Sequence, residues 1–100
     1  MDEKYADARE NLFAAMRSLA ASADSIQNRL IDANSSILAV TIDEFEGDGE
    51  LKIKFARILD LYGVDLDDTQ AVATETAAYM SDFDAIKLAD LICDLFYELR

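Results

Sequence analysis

The sequence predicts an all-α protein, a compact bundle of four or five helices. Three observations carry this. From Leu12 to Val40, apolar residues recur at intervals of four and three without a break, which is the period of a helix rather than a strand. The chain has no proline and only three glycines, Gly47, Gly49 and Gly63, so strong punctuation is confined to two places. Apolar residues make up 52% of the 100 residues, too many for disorder and enough for a single domain, 1–100, with a modest core.

The N-terminal apolar line is Leu12, Met16, Leu19, Ala23, Ile26, Leu30, Ala33, Ile37 and Val40. A second line, Ile31, Leu38, Ile42 and Phe45, widens the face, and Asn28, Asp32, Ser35 and Ser36 lie opposite. As one helix this stretch would run about 60 Å, too long for a compact monomer of this size, and would call for a partner helix. The run "SADSIQ" offers Asp24 as an N-cap with Gln27 three residues on, a capping-box spacing. Two helices meeting near residues 22–24 are therefore expected.

After the glycines, Leu51, Phe55, Ile58, Leu59 and Tyr62 keep helical spacing, and Gly63 stands where a C-cap glycine belongs. A rival reading is a β-hairpin at about 39–56. "LKIKF" alternates like a strand, "VTIDEF" is rich in β-formers, and Val40/Phe55 and Ile42/Ile53 could pair. The helix accounts for more residues on both sides. In "DLDDTQ", Asp67 or Asp68 can cap a helix running to about Met80. Ser81, with Asp84 three residues later, caps the last helix. Its expected buried side is Phe83, Ile86, Ala89, Ile92, Cys93, Phe96 and Leu99.

Net charge is −12, from 21 acids and nine bases. Such a surface repels phosphate backbones and anionic membranes, so neither nucleic acid nor membrane is an expected direct partner. A protein with a basic surface is, and long-range attraction would speed that encounter. The plainer account is solubility alone. The N-terminal "MDEKYADARE" lacks an apolar signal core, and the single Cys93 cannot form an internal disulfide, so the cytoplasm is the expected location.

The stretch "EFEGDGEL", residues 44–51, resembles the calcium loop of EF-hand proteins. Glu44, Glu46 and Asp48 fall at the first three ligand positions, Gly49 at the glycine and Leu51 at the apolar position. The closing bidentate Glu is replaced by Phe55, which cannot ligate, and Lys52 and Lys54 stand where later ligands would converge. A helix-to-helix turn, with Asp48 capping the following helix, is expected rather than a metal site. "ADSI", with Ser25 after Asp24, resembles the Asp-Ser-Leu of acyl carrier proteins, in which the serine carries a phosphopantetheine arm. That family's long leading segment and loop are absent, so capping is the expected role and no cofactor is expected.

An enzyme would need groups this chain lacks. There is no histidine, hence no Ser-His or Cys-His pair and no imidazole metal ligand, and no glycine-rich phosphate cradle occurs. Tyr5, Tyr62, Tyr79 and Tyr97 are expected to be half-buried packing residues.

The last helix carries the best candidate site. Asp90, Asp94 and Glu98 stand at i, i+4, i+8, one line on one face. Like charges at that spacing oppose the helix, and the last two sit at the end whose dipole disfavours acids. On this segment only Lys87 and Arg100 offer relief. Carboxylates about 6 Å apart along a helix resemble the charge repeat of a nucleic-acid backbone. Asp65, Asp67, Asp68 and the 43–50 cluster would extend the acidic surface. The expected function is a non-enzymatic acidic module, an inhibitor that occupies a partner's nucleic-acid-binding surface. Phage-encoded anti-restriction and anti-CRISPR proteins and nuclease immunity proteins share this size and charge. The alternative is a structural helical module or homodimer.

Overall fold

Helix α1, Ala6–Ala20, and helix α2, Ile26–Leu38, are separate elements that pack side by side. The computed structural model describes residues 5–21, 23–63 and 70–99. The two-helix reading holds, with the break near the expected place. Its cap lies one residue later than expected: Ser25, not Asp24, is the N-cap, and its Oγ accepts from the Asn28 N–H at 3.2 Å. Gln27 is diverted into a tertiary role, donating to the Met80 carbonyl and to Asp82 Oδ1, both at 2.8 Å. Those bonds pin the start of the last helix against α2.

A 3₁₀ turn, Ile42–Phe45, follows α2, and α3 runs Gly49–Leu61. No strand occurs among the described residues, and the 39–56 hairpin gives way to this turn and helix. Burial shows why. A strand would put Leu51, Ile53 and Phe55 on one face. Instead Leu51, Phe55 and Ile58 are buried at helical spacing, while Ile53 is 61% exposed. Gly63 follows the C-cap residue Tyr62 with φ +74°, the left-handed conformation expected of a glycine after a helix.

Helix α4, Gln70–Ala78, ends two residues before the expected Met80, and α5, Asp82–Leu99, follows at once. Ser81 caps α5 as expected, its Oγ accepting from the Asp84 N–H at 3.1 Å. The expected Asp67 or Asp68 cap for α4 lies outside the described residues.

Helix α5 packs on α1, α2 and α3, and α2 also packs on α4. The principal extents are 38 × 29 × 19 Å, so no dimension matches the length of a single N-terminal helix. The core is aliphatic around Leu12, Leu30, Ile37, Leu88 and Ile92, with an aromatic corner where Phe45 lies between Tyr5 and Phe55. One buried and one partly buried polar contact thread it. The Tyr62 hydroxyl donates to the Leu30 carbonyl at 2.9 Å, and Asn34 Nδ2 donates to Thr74 Oγ1 at 2.8 Å, tying α2 to α4. Tyr62 is thus fully buried rather than half-buried, while Tyr79 and Tyr97 are exposed. Ala23, expected in the apolar line, is exposed between α1 and α2.

The largest correction concerns α5. Ile92 and Leu99 are buried as expected and Ala89 and Phe96 pack half-buried against the core, but the buried stripe runs through Ala85, Leu88 and Leu95 rather than Phe83 and Ile86. Phe83 is 76% exposed and Ile86 60%. Helix α5 is apolar around more than one face, so periodicity alone admits both orientations. The small Ala85 is fully buried, and the bulkier Phe83 is left outside.

Candidate functional site

The candidate acids fall into two clusters, and the two lysines of "LKIKF" meet one each. Residues two apart on a helix point about 200° apart, so Lys52 and Lys54 leave opposite flanks of α3. Lys52 reaches back to Glu46 at 2.9 Å in an exposed pair, while Lys54 reaches across to α5.

In the glycine-acid turn, each of the three carboxylates that could have faced a metal is occupied locally. Glu44 Oε2 accepts from the Thr41 N–H at 3.1 Å, reaching back to the residue before its own 3₁₀ turn. The Lys52 ammonium, donating to Glu46, holds that carboxyl below its usual range and is itself raised. Asp48 Oδ1 accepts from the Leu51 N–H at 3.2 Å, the N-cap of α3 expected from the sequence. Gly47 has φ +91°, which turns the chain between the 3₁₀ turn and α3. Among the described residues, no three carboxylate or thiol side chains converge as a metal-ligand set.

On α5, Asp90, Asp94 and Glu98 lie in one line as the spacing dictates, and all three are exposed. Within the segment itself the sequence offers only Lys87 and Arg100 as relief, and Arg100 lies outside the described residues. The structure adds Lys54 of α3, which pairs with Glu98 and stands 3.7 Å from Asp94. Arg9 of α1 adds a further cation at the same end, its Nη1 donating to the Leu99 carbonyl at 3.2 Å. Both place positive charge where the α5 dipole is negative, which offsets the acids there. Asp90 has no ion pair among the described residues.

The ridge therefore divides. Glu98 and, more loosely, Asp94 are joined to α3; Asp90 faces outward. Beside Asp90 runs an apolar line: Phe83, Ile86 and Cys93, expected in the core, and Tyr97, expected to be half-buried. Partial burial and the nearby Asp90 carboxylate push the Cys93 thiol up, so it stays protonated at neutral pH. On the α1 side, Phe96 meets Phe13 with ring centroids 5.9 Å apart and the rings tilted by 34°.

The remaining sequence candidates, Asp65, Asp67 and Asp68, lie outside the described residues. No described helix is long and apolar enough to cross a membrane. No protein-family model, curated protein or solved structure matches the chain, so its own residues carry the functional reading.

Proposed function

We propose that this is a non-enzymatic binding module, an inhibitor that sets its acidic surface against a basic, nucleic-acid-binding surface of a partner protein. One observation carries the reading. Helix α5 bears Asp82, Asp84, Asp90, Asp94 and Glu98 against Lys87 alone, within a chain of net charge −12. Such a field steers basic partners and excludes phosphate backbones. Phage-encoded anti-restriction and anti-CRISPR proteins and nuclease immunity proteins work in this manner. The absence of histidine supports the non-enzymatic part. The single cysteine supports a cytoplasmic site of action.

The test is capture of host proteins on the immobilised chain at low and high salt, followed by competition with duplex DNA. Captured proteins should be basic, released by salt and displaced by the duplex. The same capture set on a chain carrying Asp90→Gln, Asp94→Gln and Glu98→Gln would remove α5 from the interface. A second reading, a structural module or homodimer, draws on the exposed Phe83 and Ile86. Sedimentation of the purified chain separates it from the first.

A further inference from the structure

Helix α5 carries two apolar seams of the same spacing. Ala85, Leu88, Ile92, Leu95 and Leu99 recur at three and four and are buried in the bundle. Phe83, Ile86, Cys93 and Tyr97 keep the same rhythm two residues out of step, with Asp90 at the central position. This is the a/d pattern by which one helix accepts another along its length. Phe83 and Ile86, 76% and 60% exposed, stand outside the core cluster of the described residues. Neighbouring large apolar side chains left in water on one helix face mark an interaction surface.

Charge selects the occupant. If a second copy lay on this seam about a twofold axis, parallel or antiparallel, Asp90 would meet its own counterpart. Two chains of net charge −12 would also be brought together. An anionic bilayer is repelled by the same acids. A helix carrying leucine-like anchors at a and d, with Lys or Arg opposite Asp90 and beside Asp94, meets neither objection. It covers Phe83 and Ile86 while its long basic side chains reach the two carboxylates.

We propose that the outer seam of α5 is the docking strip for a basic amphipathic helix of the partner protein, with Phe83 and Ile86 as apolar anchors and Asp90 and Asp94 as charge partners. This rests on the functional reading given above and narrows the basic surface to one helix, recognised in the helix-in-groove manner.

The probes are two synthetic peptides of one composition, leucine and lysine. One has leucine at a and d positions; the other is a scramble without an apolar face. Fluorescence anisotropy at about physiological salt should show the amphipathic peptide binding about tenfold or more tighter than the scramble. Phe83→Ser with Ile86→Ser should abolish that ratio while the far-UV circular dichroism and melting temperature hold, since both side chains are exposed. Asp90→Asn should weaken both peptides. As an independent readout, the amphipathic peptide should slow alkylation of Cys93, and the scramble should not.

Equal, salt-sensitive binding of both peptides, unchanged by the serine variant, would overturn the docking strip and leave the acidic-surface reading standing. No binding of either peptide at low salt would remove both. A dimer of the free chain that the serine variant dissociates would assign the seam to a second copy and overturn the proposal as well.

Discussion

Lys54 is the residue whose removal says most about the α5 ridge. Its ammonium pairs with Glu98 and lies 3.7 Å from Asp94, and its side chain is 29% accessible. Lys54→Met keeps the aliphatic stem and deletes only the charge. With Glu98 33% accessible, solvent screening is substantial, so that pair is worth about 0.5–1 kcal/mol and the looser Asp94 contact about 0.3. The variant should therefore lose about 1 kcal/mol, or about 4–8 °C in melting temperature for a domain of this size. Glu98→Gln loses the same pair but relieves about 0.3–1 kcal/mol of dipole opposition and about 0.2–0.5 of repulsion from Asp94. Its net effect should lie near zero.

The double variant completes a cycle in which the coupling energy isolates the pair. Urea unfolding followed by far-UV circular dichroism should give a coupling of about 0.5–1 kcal/mol, falling in about 1 M salt, where the Debye length is about 3 Å. A coupling within error of zero at low salt would refute the assignment of Glu98 to the fold. It would return all three acids to the outward face.

Three other substitutions test the local architecture. Asp48→Ala should cost about 1 kcal/mol by uncapping α3, and calorimetry of the parent chain should show no calcium site tighter than about 1 mM. Gly63→Ala should cost more than about 1 kcal/mol, because φ is +74° and the new Cβ would stand 2.8 Å from Thr76 Oγ1. Gly49→Ala, with nothing within 4 Å, is the control and should be neutral or stabilising. Tyr62→Phe should cost about 1 kcal/mol at neutral pH through the lost bond to the Leu30 carbonyl. Burial pushes the folded Tyr62 phenol up, so above about pH 10 the unfolded chain ionises while the folded chain keeps its proton. Stability should then fall by up to about 1.4 kcal/mol per pH unit, and urea midpoints of the Phe variant should lack this contribution.

What was legible in the sequence is local. Ser81, Asp48 and Gly63 act on backbone groups within three residues, so residue type and spacing suffice to read them. Asp24 and Ser25 are both competent caps one residue apart, and only the path of the chain chose Ser25. The α5 orientation was not legible, because two apolar seams of equal rhythm lie on one helix and tertiary packing selects between them. The Asn34–Thr74 and Lys54–Glu98 contacts join residues far apart in the chain, and no local pattern marks them. For the site, the line of acids was legible; its division between fold and surface was not.

That division bears on what the charge is for. Of the bases, Lys52 and Lys54 meet carboxylates, while Arg9 and Arg29 donate to the carbonyls of Leu99 and Leu19 at helix ends. Even if all nine bases paired with different acids, twelve acids would remain without one. Internal pairing therefore cannot be the reason for them, and the surplus opposes compaction by self-repulsion. A partner that covers the surplus regains that energy, which a purely solubilising charge would not. Charge of this kind acts at long range and sets the rate and orientation of approach, whereas apolar anchors fix how long a complex lasts. On the outer face of α5 the two kinds of group lie within one seam. In the proposed docking, Asp90 would attract a basic segment and Phe83 and Ile86 would retain it, and of its charge partners only Asp94 also lies near a lysine of the fold.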